Sequence, residues 1–300
     1  MQNTSPYKSQ LIGFSLAITG TLLFSLKSIF IKYLYQQGLN ADSVLVLRMA
    51  LALPIYIAIL IAALRTQSQI TLNSKTTTTV FFLGFIGYYL ASLFDLMGLE
   101  LITAQLERLS LFTYPFLVAI LGFLFFKEPI TRKVLFAFIT SYAGLWIVMG
   151  QELALTGNNV LQGVSLVLAS ALSFSFYVLF SRPLIKRLTS VLFTSLAMVS
   201  SSIFALLHGV VIIDWNSLFI TDVAWLWLVL LVILSTVIPS FMMTESIQRI
   251  GPTQTGIAGM LGPIFTIALA VYLLSEPFTL EIALGVSLVI TGVLSLMIRK

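Results

Sequence analysis

Phe126-Lys127-Glu128-Pro129-Ile130-Thr131 recurs 148 residues later as Leu274-Ser275-Glu276-Pro277-Phe278-Thr279. At the same offset Pro115 meets Pro263, and Gly144 meets Gly292. Nearer the start of each half, at an offset of 150, Gly13-Phe14-Ser15-Leu16 meets Gly163-Val164-Ser165-Leu166, and Phe24-Ser25 meets Phe174-Ser175. Single matches this short carry little weight. A constant offset across a proline, a glycine and a Glu-Pro-x-Thr turn indicates an internal duplication. The chain therefore reads as two units, 1–150 and 151–300, within one integrated domain.

The composition says what each unit is made of. Hydrophobic residues make up 59% of the chain and charged residues 9%, and the mean hydropathy is +1.05. A soluble domain carries about 25% charge, so most of this surface must face lipid. Apolar runs fall near 11–33, 42–64, 79–99, 103–126, 133–150, 161–181, 190–213, 223–247, 253–274 and 281–298. That predicts an all-α membrane protein with ten transmembrane helices, five to each unit. Five is odd, so the second unit enters the bilayer from the opposite side. Two inverted five-helix repeats are the usual frame for alternating access around a central site.

Basic residues fix the orientation. With the N-terminus inside, the inner connections hold Lys8, Arg65, Lys75, Lys127, Arg132, Lys133, Arg182, Lys186, Arg187, Arg249, Arg299 and Lys300. The outer connections hold only Lys32. This asymmetry predicts cytoplasmic N- and C-termini. The longest connection, Thr66–Thr79, reads as a surface loop.

Several classes of function are excluded. The net charge of +5 is scattered among loops, so no nucleic-acid surface is expected. Cysteine is absent and His208 is the one histidine, which leaves no thiolate or histidine-rich metal site. No nucleophile–base pair, phosphate-binding loop or redox motif appears, so no catalytic residue, cofactor or enzymatic activity is expected.

Five ionisable residues lie inside spans: Lys27, Arg48, Asp95, Glu107 and Arg108. Each costs roughly 2.5–3.5 kcal/mol on insertion scales, so each needs a partner or a wet cavity. All five fall in the outer half of the first unit, with no matching set in the second: Lys27 aligns with Tyr177, and Glu107-Arg108 with Thr255-Gly256. Two readings stand side by side. The charges could form salt bridges that join helices 1–4 or seal the outer face. Alternatively, the surplus cation could meet the carboxylate or phosphate of a solute, with Lys27 or Arg48 in contact. Asp95, Glu107 and Glu245 read as the acids able to take part in any proton coupling, and Glu245 also spaces i, i+4 with Arg249. Tyr88, Tyr114 and Tyr177 are further candidates for solute binding or gating, because a buried phenol seeks a partner. Pro115 and Pro263, read as lying inside helices 4 and 9, and Pro239 in helix 8 are candidate hinges.

The proline-centred helix (Tyr114-Pro115-Phe116, Gly262-Pro263-Ile264), the Glu-Pro-x-Thr turn and the last helix with a mid-span glycine occur once in each unit. On these features the chain resembles the EamA type of the drug/metabolite transporter superfamily across nearly its whole length. It departs from that pattern at Leu23-Phe24-Ser25-Leu26-Lys27, where many members carry Trp-Gly. The resemblance implies a ten-helix secondary carrier of a small polar metabolite, an amino acid or other carboxylate-bearing solute. It also implies an exporter in a bacterial inner membrane, embedded in lipid as a monomer or homodimer. The alternative is a lipid-active membrane protein, either a flippase or an enzyme.

Overall fold

The computed structural model describes residues 6–66, 73–157, 159–216, 218–259 and 261–297, and all the regular structure among them is helical. Where no water is available, an unpaired N–H or C=O costs several kcal/mol, and a helix pairs them within one segment. In the first half, α1 (Pro6–Gln36) and α2 (Ala41–Thr66) are followed by α3 (Ser74–Gly84). A π-helical stretch, Phe85–Leu90, joins α3 to α4 (Ala91–Leu101). Then come α5 (Ala104–Leu111), α6 (Tyr114–Phe126) and α7 (Arg132–Thr156). The second half holds α8 (Asn159–Leu188), α9 (Ser190–Ile212) and α10 (Asp222–Val232). A second π-helical stretch, Ile233–Val237, leads into α11 (Ile238–Gly259), followed by α12 (Leu261–Leu274) and α13 (Leu280–Met297). Taken as continuous rods, eight helices among the described residues are long and apolar enough to cross a membrane, and Leu261–Leu274 and Leu280–Gly292 are shorter apolar helices. Large apolar side chains such as Val211 and Phe219, each 80% exposed, cover the outside. Such a surface suits lipid and not water.

The duplication seen in the sequence extends to backbone detail. The two π-helical stretches begin 148 residues apart, at Phe85 and Ile233. Lys127 and Ser275, again 148 apart, both adopt a left-handed conformation at φ 55°. Each ends its helix with a matching long backbone bond, Glu128 N–H to Gly122 O at 3.3 Å and Glu276 N–H to Ala270 O at 3.2 Å. The halves interleave: α1 runs along α11 and α12, α4 along α8, α2 along α9, and α7 along α13.

Three expectations about local structure are revised. The fourth apolar run is two helices, broken between Leu111 and Tyr114. Pro115 therefore falls in the first turn of α6, where a missing N–H leaves no bond unmade. Pro263 likewise sits near the start of α12, whereas Pro239 lies inside the continuous span Asp222–Met243, two residues past the second π-helical stretch. Pro54 of α2, Pro183 of α8 and Pro252 of α11 also lie inside long helices. Secondly, α11 continues helical to Gly259, where hydropathy put a loop before 253. Hydropathy registers apolarity, whereas a polar stretch can remain helical. Thirdly, the Thr76–Thr79 run is helical, with the Asn73 side chain accepting from Thr76 N–H at 2.8 Å. The rest of that connection, 67–72, lies outside the described residues, as do Arg299 and Lys300.

α7 and α13 cross closely through glycine. A Cβ added to Gly285 would lie 2.7 Å from Gly144 O and would clash with Val148. Small residues let helices approach where lipid supplies no hydrophobic drive between them. Gly285→Leu should therefore destabilise the protein by at least about 1–3 kcal/mol, the usual cost of overpacking. A lowered thermal midpoint in detergent would show it, and an unchanged midpoint would mean that the crossing can relax.

Candidate functional site

Four helices of the first half bring the five span charges together. Lys27 of α1 forms an ion pair with Asp95 of α4. One turn of chemistry further in, Ser28 of α1 donates to Glu107 Oε2 of α5 at 2.8 Å. The same hydroxyl accepts from Arg108 Nη2 at 3.0 Å, and that guanidinium also reaches Phe24 O at 3.4 Å. Asp95 and Glu107 carry side-chain groups within hydrogen-bonding reach of each other. Arg48 of α2 lies in the field of Asp95, Tyr35 and Tyr56.

Arg48 differs from its neighbours. It is 3% exposed, yet Nε and Nη2 have no hydrogen-bond partner among the described residues. Lys27 has a carboxylate and Arg108 a hydroxyl and a carbonyl. A buried guanidinium with two donor nitrogens unpaired is costly, because their desolvation is not offset by a bond. The cluster is nearly closed to solvent in this conformation, with Glu107 fully buried.

The three tyrosines lie in a separate aromatic group. Tyr177 OH of α8 donates to Tyr88 OH in the first π-helical stretch at 3.1 Å, their rings meeting edge-on at 4.9 Å. A Cβ at Gly87 would overlap the Tyr177 ring, so glycine is what allows this approach. Tyr114 joins through Phe174, with centroids 5.3 Å apart, and its carbonyl accepts from Ser175 Oγ at 3.1 Å. Tyr56 connects the two groups, lying in the field of both Tyr88 and Arg48. Its hydroxyl lies 3.2 Å from Ser240 Oγ and 3.4 Å from Thr236 O, beside the second π-helical stretch and Pro239.

A second acidic group was not foreseen. Glu152 of α7 accepts from Thr103 N–H at 2.7 Å and from Thr103 Oγ1 at 2.6 Å. Glu276 accepts from Ala104 N–H at 2.8 Å and Gln105 N–H at 3.2 Å. Together they satisfy the free N–H groups at the start of α5, where the helix dipole also favours an anion. Burial pushes the Glu276 carboxyl above the usual carboxylate range, against the pull of its two N–H donors. Lys32 lies in the field of Glu276, Glu152, Glu107 and Glu100. Glu152 thus joins the buried acids, although a reading of the spans alone picks out Asp95, Glu107 and Glu245. The signal that could have found it is its place near the end of an apolar run, one turn from the Gly157-Asn158 punctuation. Glu245 forms the surface pair that its spacing predicts, with Arg249 Nη2 at 2.6 Å. His208 stands between Tyr89 OH at 2.9 Å and Asp42 Oδ1 at 3.0 Å.

A duplicated bundle of apolar helices, with charges gathered inside its first half, defines a polytopic membrane protein of the solute-carrier kind. Residues 11–150 and 161–298 each match the EamA-like transporter family. The chain belongs to that family, within the drug/metabolite transporter superfamily, and is a multi-pass membrane transporter. It is 28% identical to the "Uncharacterized transporter YcbK" of Bacillus subtilis over 97% of this chain and 95% of that one. An "Uncharacterized transporter" of Archaeoglobus fulgidus is 24% identical over 85% of this chain and 87% of its own length. A solved crystal structure, 17% identical, superposes with a TM-score of 0.66 over 97% of this chain and 96% of its own, a likeness of fold.

The Glu-Pro motif occurs twice but does different work in each half. Glu276 is bound to the start of α5, whereas Glu128 is exposed. Glu276→Ala should cost about 1–3 kcal/mol by leaving two buried N–H groups unpaired. Glu128→Ala should change stability by no more than about 0.5 kcal/mol, as at ordinary surface sites. Thermal unfolding of the two variants in detergent compares them directly. Equal losses would contradict the capping role.

Proposed function

We propose that the protein is a secondary carrier that moves a small carboxylate-bearing metabolite, an amino acid or a close relative, across the bacterial inner membrane. It has ten spans, with both termini in the cytoplasm. Its two inverted repeats, 1–150 and 151–300, alternate access to a site at the Lys27, Arg48, Asp95, Glu107 and Arg108 cluster. Tyr88, Tyr114 and Tyr177 line or gate the path beside it. The chain breaks near Pro115, Pro239 and Pro263 act as hinges. Efflux is the direction that the family resemblance favours.

The observation that carries this reading is Arg48, a buried guanidinium with two donor nitrogens unused among the described residues. A planar fork of N–H donors matches a carboxylate bidentately. Lys27 is the weaker candidate for that contact, because Asp95 already neutralises it. α2 packs along α4 and along α9 of the second half, and Val46 and Met49, on either side of Arg48 in the chain, approach Gly209 and Ser202 of α9. Movement of one half against the other would open the site to one side or the other. The closed cluster corresponds to the occluded stage of such a cycle.

Stability and binding should respond in opposite ways at this residue. A solute at 100 times its dissociation constant should stabilise the wild-type fold by about 2.7 kcal/mol. A thermal-shift panel of amino acids, organic acids, nucleosides and sugars would find it. Arg48→Gln should leave the solute-free thermal midpoint unchanged or higher, because an unpaired buried charge is removed, and should abolish the shift. Lys27→Gln should destabilise the solute-free fold by about 3–5 kcal/mol and so lower its midpoint, because Asp95 is left without its cation. Stabilisation by an anionic solute that survives in Arg48→Gln would sink the assignment.

A further inference from the structure

The two buried acids of the cluster raise a question that their basic neighbours do not answer. Asp95 is 2% exposed and Glu107 fully buried, and they come from successive helices, α4 and α5. One oxygen of each is engaged, Asp95 Oδ2 by Lys27 and Glu107 Oε2 by Ser28. The other oxygens, Asp95 Oδ1 and Glu107 Oε1, have no donor among the described residues. Yet the two carboxyl groups are within hydrogen-bonding reach of each other. Two ionised carboxylates so placed can only repel, and the repulsion is strong where water is excluded. A single proton converts that contact into a charge-assisted O–H to O⁻ hydrogen bond.

We propose that Asp95 and Glu107 together hold one proton, and that this is the coupling ion, bound along with the anionic solute at Arg48 and carried across with it. The second half of the proposal rests on the reading of Arg48 as the anion contact. The first half does not. The proton comes from bulk water on the loading side and forms one O–H bond. It is returned to water on the other side when the anion leaves.

The surrounding charges set the sign of the coupling. Lys27, Lys32 and Tyr35 face the pair from α1, Arg48 from α2 and Arg108 from α5. Glu100 of α4 and Glu152 of α7 lie further along, with Lys32 in their field. The stretches of α8 and α12 packed on α4 and α5, 160–181 and 261–274, contain no Asp, Glu, His, Lys or Arg, and their titratable groups are Tyr177 and Tyr272. With both carboxyls ionised, the three bases and two acids of the cluster sum to +1. The shared proton raises this to +2, and an arriving carboxylate restores +1. Proton and anion therefore favour each other's binding, and by linkage the effect is reciprocal. A monoanion would then leave the cell together with its proton, without net charge movement, driven by its own gradient.

Infrared spectroscopy of the purified protein in detergent tests the proton directly. Wild type at pH 7 should show the C=O absorption of a neutral carboxylic acid, which Glu107→Gln should remove. Glutamine keeps the volume and can donate to Asp95, so this variant should fold, and Asp95→Asn serves as a second check. A band that is absent from wild type, or identical in wild type and both variants, overturns the proposal. The coupling is tested by the pH at which the band disappears. Arg48→Gln, which removes the same positive charge that a bound carboxylate would neutralise, should move that midpoint to higher pH. An unmoved midpoint overturns the coupling. Glutamate, succinate, lactate and phosphate then serve as probes of the anion reading itself. The dissociation constant of whichever binds should rise about tenfold per pH unit above the midpoint in wild type and stay flat in Glu107→Gln. Binding without this slope overturns the coupling while leaving Arg48 as an anion site. If no probe binds but the band and its Arg48-dependent shift are present, the proton site stands and the anion reading is what has failed.

Discussion

A polar group in hydrocarbon has only the protein to bond with. This constraint shapes every part of the structure that is not simple apolar packing. It joins Lys27 to Asp95, and Ser28 to Glu107 and Arg108, across α1, α4 and α5. It draws Glu152 and Glu276 to the open N–H groups of α5, so that the start of a helix in the first half is held by the turn that follows α12. It also explains why breaks in the spans fall where they do. Pro115 takes a position at which its missing N–H is not needed, and Pro239 follows a stretch whose backbone bonding has already shifted register. Arg48 departs from this rule further than the other charges of the cluster, with two donor nitrogens unpaired among the described residues.

The scaffold is symmetric and the chemistry is not. The π-helical stretches and the left-handed turns repeat at one offset, and helices of one half pack along helices of the other. The charges occupy only one half. A solute at Arg48 would thus lie to one side of the pseudosymmetry relation, and the second half would supply Tyr177 and Ser240 instead of a matching set of ions. The two copies of the Glu-Pro turn differ in the same way, one bound and one exposed.

Much of this was legible in the sequence. The spans, the duplication and the five charges could be read because each violates a strong background: long apolar runs, a constant offset, and ions where ions are rare. Their assembly into one cluster followed from all five lying at similar depth. What could not be read was partnership. Lys27 and Arg48 look alike as lone bases in apolar helices, and only geometry separates the one paired with Asp95 from the one without a partner. Glu152 escaped notice because it sits at the end of a run, where an acid is unremarkable. The helical course of 248–252 and of Thr76–Thr79 is not visible in hydropathy for a different reason. Hydropathy measures affinity for lipid, whereas helicity also follows from capping and from the cost of leaving backbone groups unpaired.

A π-helical stretch has one more residue per turn than the α-helix around it. Such a stretch arises most simply when a single residue is inserted into an α-helix and the fold absorbs it. Phe85–Leu90 and Ile233–Val237 begin 148 residues apart. One insertion, copied, accounts for both more simply than two independent ones at equivalent places. It was therefore present in the ancestral half before that half was doubled. The charges at Lys27, Glu107 and Arg108, which have no counterparts at Tyr177, Thr255 and Gly256, were gained by one copy or lost by the other only afterwards. The gene thus records an order of events, with the wide turn first, the doubling second and the difference in charge last.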